Sequence, residues 1–151
     1  MKRISIVMTF FLINALFFAG QSFGRWSSWG NTTYARMYNV NTVETISGAV
    51  TSVDQFIPAQ GMWPGIHIIV ETAAGKIPVH LGPVWYISNQ NMQIAVNDTV
   101  NVTGSKIVFN GAPAIIAAQV TKGTNILTLR DNNGFPVWSG WRGRNQPRRN
   151  W

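Results

Sequence analysis

Two histidines are the only imidazoles in this 151-residue chain, and both fall in one stretch, GIHIIVETAAGKIPVHLGPVWYI, residues 65–87. Imidazole titrates near neutral pH and is the commonest metal ligand, so His67 and His80 are the first residues to consider for chemistry. Ile66, Ile68 and Val70 alternate with His67, Ile69 and Glu71, and Ile77, Val79 and Leu81 alternate with Lys76, Pro78 and His80. That period of two describes two strands, each with one apolar face. If both apolar triplets face the core, opposed residues of an antiparallel pair must have numbers that sum to an odd value. A two-residue loop at Ala74-Gly75 satisfies this condition by pairing Ala73 with Lys76. It predicts Ile69 opposite His80 and His67 opposite Gly82. The two histidines are then diagonal neighbours on the outer face, about 7 Å apart, with Glu71 on the same face opposite Pro78. His67, His80 and Glu71 could hold a divalent metal, titrate near pH 6.5 or contact an anionic ligand. The plainer reading is a polar outer strand face.

Other chemistry is sparse. Asp54, Asp98 and Asp131 fall at expected turns, where aspartate bonds its own backbone, and no two carboxylates are spaced for acid and base work. No serine stands in a Gly-x-Ser-x-Gly elbow and no glycine-rich loop offers a phosphate cradle. Catalysis is therefore not expected. The absence of cysteine excludes disulfides, thiolate metal sites, thiol nucleophiles and c-type haem attachment. The remaining concentration of chemistry is the ending WSGWRGRNQPRRNW, 138–151. There Trp138, Trp141 and Trp151 are interleaved with Arg142, Arg144, Arg148 and Arg149. Arginine beside stacking aromatics suits anionic surfaces, whether lipid headgroups, a polyanionic protein or single-stranded nucleic acid. A solvated basic tail is the alternative.

These candidates must be held by the elements around them. Residues 1–24 read as a secretory signal: Lys2 and Arg3 precede an apolar run from Ile4 to Ala19, and Ser22-Phe23-Gly24 has the small residues of a cleavage site. An uncleaved membrane anchor is the other reading, although a spanning helix needs about 20 apolar residues. Either way the remainder is expected outside the cytoplasm, periplasmic or secreted, which argues against nucleic acid as partner. Residues 25–41 lack a sustained period and read as a flexible arm. Residues 42–140 form the domain, and 141–151 the basic tail.

Within the domain, TVETISGAVTSVDQF reads as a long strand bent at Gly48, and 54–65 as a loop rich in proline and glycine. The histidine strands follow on either side of Ala74-Gly75. VWYISNQNMQIA, 84–95, can make a short helix or turn with Trp85, Ile87 and Met92 inward. TVNVTGSKIVF and APAIIAAQVTKG flank Asn110-Gly111, a strong hairpin signal. Ile126–Arg130 and Phe135–Trp138 read as a terminal hairpin. Long strand, strand, strand, short helix, strand, strand is the order of an OB fold, a five-stranded, partly open Greek-key barrel, with a plain all-β meander or half of a sandwich as the alternative.

ISGAVTSV (46–53), the histidine stretch (65–87), VNDTVNVTGSKI (96–107), PAIIAAQVTKG (113–123) and LTLRDNNGFPVWSGW (127–141) together resemble the domain shared by the MamS and MamX magnetosome proteins. The more specific pieces are His-Leu-Gly-Pro at 80–83 and the Leu-Arg-Asp…Gly-x-Pro-x-Trp ending. The resemblance implies a periplasmic or membrane-attached accessory module. It links the chain to a family associated with iron-oxide crystal growth, some of whose members carry haem-binding segments. The haem function does not carry over without Cys-x-x-Cys-His. The expectation is a non-catalytic binding or assembly module, with a metal-handling protein using His67 and His80 as the alternative.

Overall fold

The computed structural model describes residues 32–139. The expected signal and the tail bearing Trp141, Arg142, Arg144, Arg148, Arg149 and Trp151 lie outside the described residues.

The described residues form six strands: β1 (Val43–Phe56), β2 (Gly65–Thr72), β3 (Gly75–Pro83), β4 (Thr99–Phe109), β5 (Ala112–Lys122) and β6 (Asn125–Thr128). One short helix, α1 (Val84–Ile87), lies between β3 and β4. The strands hydrogen-bond in the order β3-β2-β1-β4-β5-β6. A parallel pairing of Val79 with Ile115 and His80 with Ile116 joins β3 to β5 and closes the first five strands into a ring. This closed five-stranded arrangement, with its helix between the third and fourth strands, is the OB fold that the element order predicts.

The ring closes because β1 is long enough to serve two partners. Val43–Ala49 pairs with β4, Ala49–Phe56 pairs with β2, and a bulge between Val50 and Ser52 bends the strand where it changes partner. Asn110 and Gly111 adopt φ of 50° and 80°, the left-handed pair of a type I′ turn, and connect β4 to β5 as their sequence demands. The interior is aliphatic: Val50, Ile68, Val70, Val79, Leu81, Val100, Val102, Ile115 and Val120 are fully buried. Each contributes roughly 1.5–3 kcal/mol of transfer free energy.

Three expectations change. The helix within 84–95 is confined to Val84–Ile87, because Asn89 Nδ2 and Gln90 Nε2 donate to the Trp85 and Tyr86 carbonyls and satisfy the helix end early. The described part of the expected flexible arm is docked on the barrel. Tyr34 is 3% exposed, the Asn39 N–H donates to Ser105 Oγ at 3.0 Å, and Thr42 Oγ1 meets the same hydroxyl at 2.9 Å. Trp138 belongs to the core rather than to a solvated tail, at 5% exposure. The terminal hairpin consists of β6 on β5, a turn at Asp131, and a single bridge from Arg130 to Pro136.

Candidate functional site

The hairpin of β2 and β3 turns at Ala73-Ala74, not at Ala74-Gly75. Thr72 sets this turn: its hydroxyl donates to the Gly75 carbonyl at 2.8 Å and accepts the Ala74 N–H at 3.2 Å. The register therefore slides by two residues relative to the expected one. A slide of two keeps every side chain on its face, so the apolar triplets still point inward, but the opposed pairs change. Ile68 opposes Val79, Glu71 opposes Lys76, and His67 stands directly opposite His80. A bulge between Ile66 and His67, which leaves Leu81 as the extra residue, ends that register.

The histidines are neither diagonal nor both at the surface. His80 is 2% exposed. Phe56 packs on it at 4.4 Å between ring centroids, Phe109 meets it edge-on at 4.8 Å, and Tyr34 stacks at 5.7 Å. His67 lies at the rim, stacked on Phe56 at 5.1 Å and near-parallel to His80 at 6.1 Å. The face expected to be polar and open is thus covered by aromatic rings from the arm, from the end of β1 and from the end of β4.

Two contacts define the electrostatics. Tyr34 Oη and His80 Nδ1 are 2.7 Å apart. Burial pushes the phenol's pKa up, so it stays protonated. Burial, and secondarily the neighbouring His67, lowers the His80 pKa from 6.5 to about 4. At neutral pH a neutral imidazole thus faces a protonated phenol, and the consistent arrangement has Tyr34 donating to Nδ1. The proton of His80 then sits on Nε2. His80 lines a recess of about 270 Å³ together with Phe56, His67, Pro78, Phe109 and Pro113. At the rim, Asp54 Oδ2 lies 3.9 Å from His67 Nε2.

Glu71 is not part of this group; it is exposed, four residues from His67 along β2. Its place is taken by Asp54, which the sequence reading assigned to a turn and which is instead a β1 residue paired with His67. The signal was there: Pro58, not Asp54, is the first residue that must interrupt the strand. Tyr34 had no comparable signal, because the arm has no periodicity from which docking could be read. Among the described residues, no three of His, Asp or Glu are grouped to hold a metal ion.

The ring topology and this cluster define a small OB-fold barrel with a histidine-floored aromatic recess on the outside of β2 and β3. Residues 42–127, more than half the chain, match the model of the MamS/MamX magnetosome protein family, and the chain belongs to that family. No curated protein matches it. Among solved structures, a chain from the crystal structure of the S. pombe Stn1-ten1 complex is similar, at 18% identity and a TM-score of 0.40. That match covers 68% of this chain and 67% of the other.

Proposed function

We propose that this protein is a non-catalytic binding module, working outside the cytoplasm as a magnetosome-type accessory protein, whose ligand site is the recess over His80. One observation carries the reading. A buried imidazole is held neutral, fixed by Tyr34 at Nδ1, and walled by Phe56 and Phe109 in a largely apolar recess that it helps to line, which leaves Nε2 as the ring's remaining N–H donor. Such sites combine apolar walls with a few placed polar groups. The ligand chemistry this suits is a planar or apolar group bearing a hydrogen-bond acceptor, such as an aromatic side chain of a partner protein. The Arg/Trp tail would add attraction to an anionic partner or membrane periphery.

The test is an NMR titration of the isotope-labelled chain with phenol and indole as probes. Saturable shifts of the His80 and Phe109 ring signals, abolished by Phe109→Ala, are expected. The absence of any saturable shift at those rings would remove the recess as a binding site.

A metal-handling role is favoured by a different observation, the Asp54 carboxylate beside His67 and His67 directly opposite His80. Zinc–nitrogen bonds are about 2.0–2.1 Å, so near-parallel rings with centroids 6.1 Å apart require His67 to swing inward for both to bind one ion. Calorimetric titration with Fe(II), Cu(II) and Zn(II) decides this. Stoichiometric binding lost in both His67→Ala and His80→Ala supports it, and binding indifferent to either substitution rejects it.

A further inference from the structure

Burying a guanidinium without a counter-charge is costly, and Arg130 is 4% exposed. The fold dictates its position. A bulge leaves Ala118 of β5 without a partner on β4, and its carbonyl accepts the backbone N–H groups of both Leu129 and Arg130, at 2.7 and 3.0 Å. The chain beyond β6 is thereby drawn onto the barrel, with Leu129 fully buried and Arg130 beside it. Arg130 Nη1 donates to the Gly134 carbonyl at 3.0 Å. Its Cζ lies 5.2 Å from the Tyr38 ring centroid and 5.6 Å from that of Trp138. These contacts suit a cation, but none supplies negative charge.

No aspartate or glutamate among the described residues supplies it. The chain's five Asp and Glu side chains all lie among the described residues, and none pairs with Arg130. Asp54 faces His67, Glu44 faces Lys106 and Asp98 pairs with Lys122. Glu71 opposes Lys76 across the hairpin. Asp131, although adjacent in sequence, turns Oδ1 onto the N–H groups of Asn133 and Phe135. Arg130 forms no ion pair among the described residues, yet it lines a recess of about 210 Å³ together with Arg36, Tyr38, Asn133 and Phe135, and no carboxylate lines it. Arg36 is itself exposed and has no acid partner among the described residues, where its Nη2 lies 3.5 Å from the Thr33 hydroxyl.

We propose that the recess between Arg130 and Arg36 binds a small oxyanion from outside the chain, a carboxylate or phosphate group held by the two guanidinia between the Tyr38 and Phe135 rings. The planar, multi-donor guanidinium matches either group in geometry as well as charge. Phe135, 64% exposed, gives the rim an apolar surface for the body of the molecule that carries the anion. The recess shares no lining residue with the histidine recess.

The test follows the Arg130 Nε–H cross-peak of the 15N-labelled full chain during titration with acetate and with inorganic phosphate, at constant ionic strength and with chloride as control. A saturable shift with acetate or phosphate but not with chloride is expected. Arg36→Gln, a surface change, should weaken it about tenfold, equivalent to about 1.4 kcal/mol, without moving the melting midpoint. Tighter binding of acetate assigns the site to a carboxylate-bearing partner, and tighter binding of phosphate to a phosphate-bearing one. No saturable shift, an equal response to chloride, or unchanged affinity in Arg36→Gln would each overturn the proposal and leave Arg130 as an internal strut.

Discussion

Acid should destabilise this barrel through one residue. His80 titrates at about 4 in the folded protein against an ordinary 6.5, so the unfolded chain binds the proton more readily. Stability tied to this group is complete above pH 6.5 and is lost as pH falls toward 4. With those two values, linkage gives a loss of about 2 kcal/mol by pH 5 and about 3 kcal/mol by pH 4. Further ionisable groups are present in the chain, so the effect must be isolated by difference. His80→Phe removes the titrating group and keeps a ring in the aromatic cluster. At neutral pH it should cost roughly 1–3 kcal/mol, because the buried Tyr34 hydroxyl loses its acceptor. Urea unfolding of both proteins from pH 7.5 to pH 4 should show the gap closing, and the variant matching or exceeding the parent at the acid end. Stability profiles that run parallel across that range would show that His80 is not held neutral by burial.

Ile68→Ala, at a fully buried barrel position, should cost about 2–5 kcal/mol in urea unfolding; a loss under about 1 kcal/mol would mean the interior collapses around the missing atoms. Gly134 has a φ of +84° and lies against the Tyr38 ring, where an added Cβ would collide. Gly134→Ala should therefore displace Tyr38 and lower stability by about 1–3 kcal/mol, and an unchanged melting midpoint would contradict this packing. The Asp98 carboxyl is held below its ordinary pKa chiefly by its hydrogen bond from Lys122, then by the Ala95 N–H. In Lys122→Met its NMR titration should move to higher pH, and an unmoved curve would show that the bond does not persist in solution.

The division between chain and fold is clearest at the histidines. Alternation of apolar and polar residues is a local property, so the strands, the inward triplets around Ile68 and Val79, the Asn110-Gly111 turn and the OB element order were all legible in the sequence. The parity of the hairpin register was legible too, because only odd sums place both apolar triplets inside. Which odd sum applies was not. A shift of two residues leaves every face unchanged, and the Thr72 hydroxyl selected the turn that sets His67 against His80. The neighbours of that pair came from farther away: Tyr34 from an arm without periodicity, Asp54 and Phe56 from an extension of β1, and Phe109 from the end of β4. Arg130 shows the same limit. Its sequence places it at the end of a strand, and only the Ala118 bulge, by claiming two backbone amides at once, draws it inside the molecule without an ion pair among the described residues. Composition and period alone determined the barrel and its core, because burial of apolar faces is decided strand by strand. The sites waited on tertiary structure, because register, bulges and docking bring together residues that no local pattern links.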